Sequence, residues 1–394
     1  MTATAEDALY RGLSNPAEPL DDSMLFSVAI EFASAATELF LDFFGRALRT
    51  NASGVVETLQ NIINDAPSFE MIWSPALGRC ISALKKEQES LAQLVAVEYL
   101  THACANGAAG EWEAKLPQPS VFLWGSRLIP ACDYIKVQSN GHSAHIYTTL
   151  EGRAAEYKIT RPASDLALWA SEEADELPNI ATERGSAVVF LSKRAINPEN
   201  YDAFGFPLVP DITPEQFQAL STTFDLMKEY LPAYYRWFSR ILRRVVIVET
   251  GPQKYLRSGS EEGLCGMVYI SDSKDILSLG EMLVHEAAHN YFYLVTRLES
   301  PVIHTRDMYY SPFVNSMRSL ERILLGYHAF SNVYLYYKAC MRAFPDKRDV
   351  CLRRMQVTLE DVKSVEKHLK ETDKLTPIGQ ALAEPLIREL RDER

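Results

Sequence analysis

The segment Leu283–Phe292 holds the residues whose types and spacing favour chemistry, because it contains the pattern His-Glu-x-x-His at His285, Glu286 and His289. On a helix, positions i and i+4 lie on one face about one turn apart, so both imidazoles could reach one metal ion. The flanking residues are apolar, which suits a buried helix that presents its polar side chains to a cleft. We therefore predict that His285 and His289 are metal ligands and that Glu286 is a catalytic residue. The alternative is a pair of core histidines bonded to backbone carbonyls.

Two histidines on a helix do not decide the metal or the reaction, so the third ligand matters. The metzincin extension of the pattern needs glycine and histidine at positions that are Phe292 and Val295 here, which excludes that class. Two candidates lie on the predicted helix Ser319–Tyr337, namely Glu321 and His328. They are seven residues apart, so on a helix they point the same way within about 20°.

The run Tyr309–Phe330 resembles a block that follows HExxH in the HExxH-motif family of peptide-modification proteins. The usual form of that block is close to YSPWRxDPRPLxGLLHGxYAF. The matching residues are Tyr310, Ser311, Pro312, Arg318, Leu320, Leu324, Gly326, Ala329 and Phe330, with Phe313 in place of Trp. The segment Leu375–Gly379 also resembles a family feature. The similarity covers roughly residues 245 to 385.

The chain departs from the family pattern at several positions of this block. The family's characteristic Arg, Asp, Pro and Pro are replaced here by Val314, Ser316, Met317 and Ser319, in that order. Leu325 occupies the position where many members carry a histidine that would be a natural third ligand, and His328 occupies the position of a tyrosine. Leucine cannot ligate a metal, so we predict His328 as the third ligand, with Glu321 or a degraded site as the alternatives.

The resemblance implies an iron- and 2-oxoglutarate-dependent enzyme that hydroxylates an unactivated carbon, the side-chain Cβ of a peptide or of a carrier-presented amino acid. It implies Fe(II) held by His285, His289 and His328. Such an enzyme needs a cation for the distal carboxylate of 2-oxoglutarate, and arginine suits it because its planar fork binds carboxylates bidentately. Arg318 matches the family's arginine, and the Tyr310 hydroxyl could contact the same carboxylate. Arg322 and Arg306 are weaker candidates.

Two rival functions use the same residues. A zinc metallopeptidase would use His285 and His289 with Glu321 as ligands, and Glu286 as the general base that activates zinc-bound water. A non-catalytic scaffold would bind a peptide after losing its third ligand. The sequence leaves these rivals open.

The elements that must position these residues indicate an α+β fold with a zincin-like helical core, a mixed or antiparallel sheet and an N-terminal helical region. The patterns divide the chain into helical residues 1–115, β-rich residues 116–210 and a mostly helical metal-binding region 211–394. Thr213 and Pro214 are typical of a helix start. The segment 258–270 ends in a strand before the motif. That strand is expected either at a sheet edge, where it could bind an extended peptide, or in the interior of a sheet.

Composition excludes several partners. Forty Lys and Arg against 52 Asp and Glu give a net charge of −12 over 394 residues, which argues against nucleic-acid and anionic-membrane binding. No stretch approaches the roughly 20 apolar residues of a membrane span, and the start lacks the pattern of a secretory signal. The six scattered cysteines are expected to be reduced and buried. We therefore expect a cytoplasmic protein.

Overall fold

The computed structural model of the chain describes residues 5–18, 20–65, 67–161, 169–183, 186–197, 205–251, 255–297, 299–304 and 306–391. These residues form helices together with antiparallel and mixed sheets, as the predicted α+β class requires. No helix among them is long and apolar enough to cross a membrane. All six cysteines are buried and free, which confirms the prediction made for them.

In the described part of the chain the helices are α1 (Ala5–Ser14), α2 (Asp22–Asn51), α3 (Val55–Asn64), α4 (Phe69–Ile72), α5 (Pro75–Lys86), α6 (Glu89–Ala105), α7 (Pro214–Tyr230), α8 (Pro232–Ile241), α9 (Ile276–Thr296), α10 (Leu320–Ala343), α11 (Arg348–Glu371) and α12 (Pro377–Glu389). The predicted start of α7 is confirmed. The Gln216 amide donates to Thr213 Oγ1 at 3.3 Å, and the Thr213 amide donates to Gln216 Oε1 at 2.7 Å. This reciprocal pair satisfies two backbone donors at the helix end.

The strands are β1 (Ala52–Ser53), β2 (Ala109–Trp124), β3 (Arg127–Asn140), β4 (Ser143–Leu150), β5 (Arg153–Thr160), β6 (Asp175–Glu176), β7 (Asn179–Ala181), β8 (Ala187–Leu191), β9 (Arg244–Val248), β10 (Ser258–Gly259), β11 (Met267–Ser271), β12 (Met308–Ser311) and β13 (Ser316–Ser319). The helical region ends at Ala105, earlier than predicted. Trp112, Ala114 and Leu116 are buried while their neighbours are more exposed, which is the period of a strand.

The chain divides into two compact units that are discontinuous in sequence. The first comprises Met1–Leu25, Gln218–Ile241 and Ser273–Arg394, and the second comprises Phe26–Phe217 and Leu242–Asp272. The division into three consecutive segments stays a prediction.

Helices form most of the first unit. Close approach of α9 and α10 depends on Gly280, because a Cβ there would come within 2.2 Å of Tyr336 Oη. Tyr336 Oη donates to the Leu277 carbonyl at 3.1 Å. The short β12 and β13 pair antiparallel immediately before α10. The HExxH helix and the helix of the third-ligand candidates are therefore packed neighbours.

The second unit contains two sheets. One is antiparallel in the order β1-β2-β3-β4-β5, with β6 added to β3. The other has the order β10-β11-β9-β8-β7, with parallel pairing among β8, β9 and β11. Those three strands are rich in apolar residues, as strands covered on both faces are. For the segment 258–270, the interior alternative holds for β11, and the short β10 forms the edge.

Candidate metal centre

The HExxH motif lies on α9, as predicted. Asp275 caps this helix, its Oδ2 accepting from the Ser278 amide at 3.0 Å. Most α9 residues are buried, and His285 and His289 lie about one turn apart on its one more open side. The helix therefore holds both imidazoles on a rigid, packed element.

His285, Glu286 and His289 form a compact group of metal-ligating side chains. Each offers one donor atom, and the three atoms lie within 4.8 Å of one another. The ring centroids of the two histidines are 4.6 Å apart, and their planes cross at 87°. Nε2 of His285 lies 3.9 Å from Glu286 Oε1. No other group of three or more His, Cys, Asp or Glu side chains meets this geometry in the described ranges.

Burial sets the charge state of the two imidazoles. The His285 side chain is 17% exposed and the Glu286 side chain only 1%. Desolvation lowers the pKa of His285 to about 4. It also lowers the pKa of His289 well below its ordinary value, and the charges of His285, His328 and Arg322 add to this effect. Both rings are neutral at pH 7, which is the protonation state that a metal ligand needs.

A second observation also indicates that these donors suit a metal ion. Nδ1 of His289 is enclosed and has no hydrogen-bond partner among the described residues. A buried ring nitrogen of this kind carries a desolvation cost that a partner would remove. Two neutral imidazoles and one buried carboxylate are donors of the kind that Fe(II) and Zn²⁺ accept.

Aromatic rings enclose the group on the side of α10. The Phe330 ring meets His285 edge-on with centroids 4.8 Å apart, and Phe313 stacks on Phe330 at 4.1 Å. Tyr293 stacks on His289 at 6.1 Å. Gly326 makes room for this packing, since a Cβ there would lie 2.9 Å from the Phe313 ring. In the sequence, Phe313, Gly326 and Phe330 lie in the block that resembles the family, and their spacing alone does not predict this packing role.

The structure does not bring His328 into the group. His328 is fully buried, and its Nε2 donates to the carbonyls of Ser14 at 2.8 Å and Leu13 at 3.1 Å. Burial lowers its pKa to about 4, an effect that these carbonyls partly oppose. The expected third ligand therefore has the environment of a core histidine that is bonded to backbone, which is the alternative first considered for the motif itself.

The other predicted site residues form no hydrogen bond or ion pair with His285, Glu286 or His289. Glu321 is half-buried at the start of α10 and is not a member of the ligating group. Arg318 is exposed on β13, and its side chain has no hydrogen bond or ion pair to any described residue. Tyr310 is 46% exposed, and its hydroxyl donates to Asn315 Oδ1 at 2.7 Å. Arg322 is exposed, yet its charge acts on His289.

Comparisons with known proteins add no family assignment. No protein-family model matches this chain, and no curated protein matches it. The resemblance of Tyr309–Phe330 to the HExxH-motif peptide-modification family stays a prediction.

Proposed function

We propose that this chain is an Fe(II)- and 2-oxoglutarate-dependent oxygenase that hydroxylates an unactivated carbon. The observation that carries the proposal is the buried group of His285, Glu286 and His289. Two histidines and one carboxylate are the donor set of many non-haem iron oxygenases. Glu286 replaces His328 as the third donor in this proposal, because the Nε2 of His328 is bonded to backbone carbonyls.

The chain's own residues have separate tasks in this scheme. His285 and His289 donate neutral ring nitrogens, and Glu286 supplies a negative charge that offsets part of the metal's charge. Bound Fe(II) would supply open positions for the keto acid and for dioxygen. Arg322 and Arg318 are the cations available for the distal carboxylate of 2-oxoglutarate. The Phe330 and Phe313 rings exclude water from one side of the group, which strengthens the electrostatic interactions within it.

We also propose a class of substrate and a zincin-like core around the motif. The resemblance favours the side-chain Cβ of a peptide, or an amino acid presented by a carrier, as the hydroxylated atom. It also favours a zincin-like arrangement around α9. These two parts rest on the block Tyr309–Phe330 and on the HExxH motif.

A zinc metallopeptidase is the second candidate, and the position of Glu286 favours it as well. A carboxylate at 1% exposure beside two neutral imidazoles is also suited to act as a general base on metal-bound water. The two functions assign Glu286 different tasks, ligand in the oxygenase and base in the peptidase. That difference provides the test.

The test is the isosteric variant Glu286→Gln, compared with the wild type and with His142→Ala, which removes an exposed imidazole in the second unit. Each protein is purified without oxygen, its iron and zinc are measured by mass spectrometry, and conversion of 2-oxoglutarate to succinate is followed. The oxygenase proposal expects iron and succinate in the wild type, and loss of iron in Glu286→Gln.

Each alternative has its own result. Zinc that is present in the wild type and remains in Glu286→Gln, with no succinate formed by either protein, supports the peptidase. Wild-type protein that retains no metal in any buffer supports the non-catalytic scaffold. His142→Ala should match the wild type in every case, because His142 belongs to no group of metal-ligating side chains among the described residues.

A further inference from the structure

The second unit contains a small polar cavity that the proposed function does not use. Arg79, Glu98, Thr101, Asn197 and Arg244 supply its polar lining. Its apolar walls include Val121, Leu191, Leu264 and Met267. The cavity volume is about 40 Å³, which is room for about three water molecules or one small charged group. All of these residues belong to the second unit, so the inference does not depend on the metal centre.

On one side of the cavity, an ion pair neutralises the charge of Arg79, and hydrogen bonds hold its partner in place. Arg79 on α5 forms an ion pair with Glu98 on α6, and the two side chains are 9% and 14% exposed. Asn197 Nδ2 donates to Glu98 Oε1 at 3.3 Å and to the Val121 carbonyl at 3.1 Å. Asn197 Oδ1 accepts from the Val121 amide at 2.7 Å. The carboxylate of Glu98 is therefore engaged by two partners of its own.

Arg244, the first residue of β9, has no such partner. It is half-buried, and its guanidinium makes no hydrogen bond or ion pair with any described residue. Burial lowers its pKa to about 10, so it keeps its charge at pH 7. Two guanidinium groups face one carboxylate in this cavity, which leaves one positive charge without compensation. A charge held away from water in this way is costly unless an opposite charge pairs with it.

A second cavity of about 40 Å³ on another side of Arg244 supplies no anion either. Its lining includes His102, Arg161 and Arg243. Arg243 is paired with Glu70 through two contacts of 2.7 Å. Burial, with the Arg244 charge adding to it, lowers the pKa of His102 to about 3, so this ring is neutral. Among the described residues that line the two cavities, Glu98 is the only carboxylate.

We propose that Arg244, assisted by Arg79, binds the oxyanion of a small ligand, a carboxylate or a phosphate group, in the first cavity. A guanidinium presents its donors as a planar fork that matches both groups. Thr101 and Asn197 add polar lining around the same space, and apolar side chains line the rest of it. The small volume limits the bound part to the anionic head of the ligand.

The test uses the full chain and two probes, inorganic phosphate and acetate. Each is titrated by isothermal calorimetry at constant ionic strength, with sodium chloride as the balancing salt. The wild type, Arg244→Gln and Arg153→Gln are compared, since Arg153 is an exposed arginine of the same unit on β5. We expect the wild type and Arg153→Gln to bind at least one probe equally well, and Arg244→Gln to bind it at least tenfold more weakly. The probe with the higher affinity identifies the ligand class.

Arg244→Lys keeps the charge and removes the planar fork, so it should bind the probe with an affinity between those of the wild type and Arg244→Gln. It also provides the comparison if Arg244→Gln does not fold by circular dichroism. Failure of the wild type to bind either probe overturns the proposal. Equal affinity in the wild type and the Arg244 variants overturns it as well, because the Arg244 guanidinium would then take no part in binding the probe.

Discussion

Two neighbouring helices of the first unit each bury histidines, and they use them differently. On α9, His285 and His289 lie beside the buried Glu286, and Nδ1 of His289 has no hydrogen-bond partner among the described residues. On α10, His328 is fully buried and its Nε2 is bonded to the carbonyls of Leu13 and Ser14. Burial keeps all three rings neutral at pH 7, so the rings differ in the groups that surround them and not in charge.

A buried, neutral imidazole is suited to a metal only where other ligating side chains lie within reach of the same ion. The ring of His328 joins α10 to the end of α1, and Asn332 Nδ2 supports the same contact by donating to the Ser14 carbonyl at 2.8 Å. This is a structural use of histidine. Nδ1 of His328, like Nδ1 of His289, has no hydrogen-bond partner among the described residues. Only the α9 histidines, however, are grouped with a second histidine and a carboxylate, with donor atoms within 4.8 Å of one another among the described residues.

The largest expected effect is on metal binding by the α9 pair. His289→Ala removes a donor atom, so metal affinity should fall by about 100-fold or more, beyond the loss typical of changes to outer-shell partners. Metal stoichiometry after dialysis at a fixed free-metal concentration measures this. His142→Ala is the matched control and should keep the wild-type stoichiometry. Full occupancy in His289→Ala would contradict the ligand assignment.

The second-largest expected effect is on the stability of the fold and not on metal binding. His328→Ala leaves a cavity and removes the donor that two buried carbonyls share, so the free energy of unfolding should fall by roughly 2–4 kcal/mol. Metal stoichiometry should stay unchanged in the folded variant. Urea denaturation and metal analysis of the same preparation separate the two readouts. His368→Ala, at a half-buried ring beside Tyr309, is the control and should cost less. Loss of metal in folded His328→Ala would restore His328 as a ligand.

The sequence could predict those features of the two helices that depend on local patterns. The spacing of the motif and its apolar flanks were enough to place both histidines on one side of a buried helix. The strand expected at the end of segment 258–270 is present as β11, because this strand is a compact apolar run. Local patterns of this kind depend on residues that are close in the chain.

The environment of His328 could not be predicted in the same way. Its partners are backbone carbonyls at positions 13 and 14, more than 300 residues away in sequence, and a carbonyl carries no residue-type signal. Spacing gave Glu321 and His328 a common helix face, but it could not show that tertiary contacts occupy that face. The charge pattern around Arg244 was missed for the same reason, since Arg79, Glu98 and Arg244 come from separate elements.

A smaller effect follows from pH. An imidazole in the unfolded chain binds a proton below about pH 6.5, whereas folded His285 and His328 do so only near pH 4. Between these values the unfolded state binds more protons, so the metal-free protein should lose stability as pH falls, by up to about 1.4 kcal/mol per pH unit for each imidazole. Urea denaturation at pH 7, 6 and 5 measures the slope. The slope should be smaller in His328→Ala, and equal slopes would contradict the buried neutral state of this ring.

Arginine variants test the cation for 2-oxoglutarate. Arg322→Ala should raise the 2-oxoglutarate concentration for half-maximal succinate formation by about tenfold, the loss expected for one charge-assisted hydrogen bond. Arg318→Ala should raise it less, because the charge of Arg322, and not that of Arg318, contributes to the lowered pKa of His289. Arg153, an exposed arginine of the second unit, supplies the control variant. A larger effect of Arg318→Ala would return the anchor to the family position.

The smallest expected effect is at Glu321, and it completes the comparison of the two helices. Glu286 is enclosed beside the α9 histidines, whereas Glu321 is half-buried on α10, with no hydrogen bond or ion pair to a described residue. Glu321→Ala should therefore change the free energy of unfolding by less than about 0.5 kcal/mol, as surface substitutions do, and leave metal content unchanged. Metal that disappears in Glu321→Ala but stays in Glu286→Gln would reverse the roles of the two carboxylates. It would then favour a peptidase with Glu321 as third ligand and Glu286 as the base.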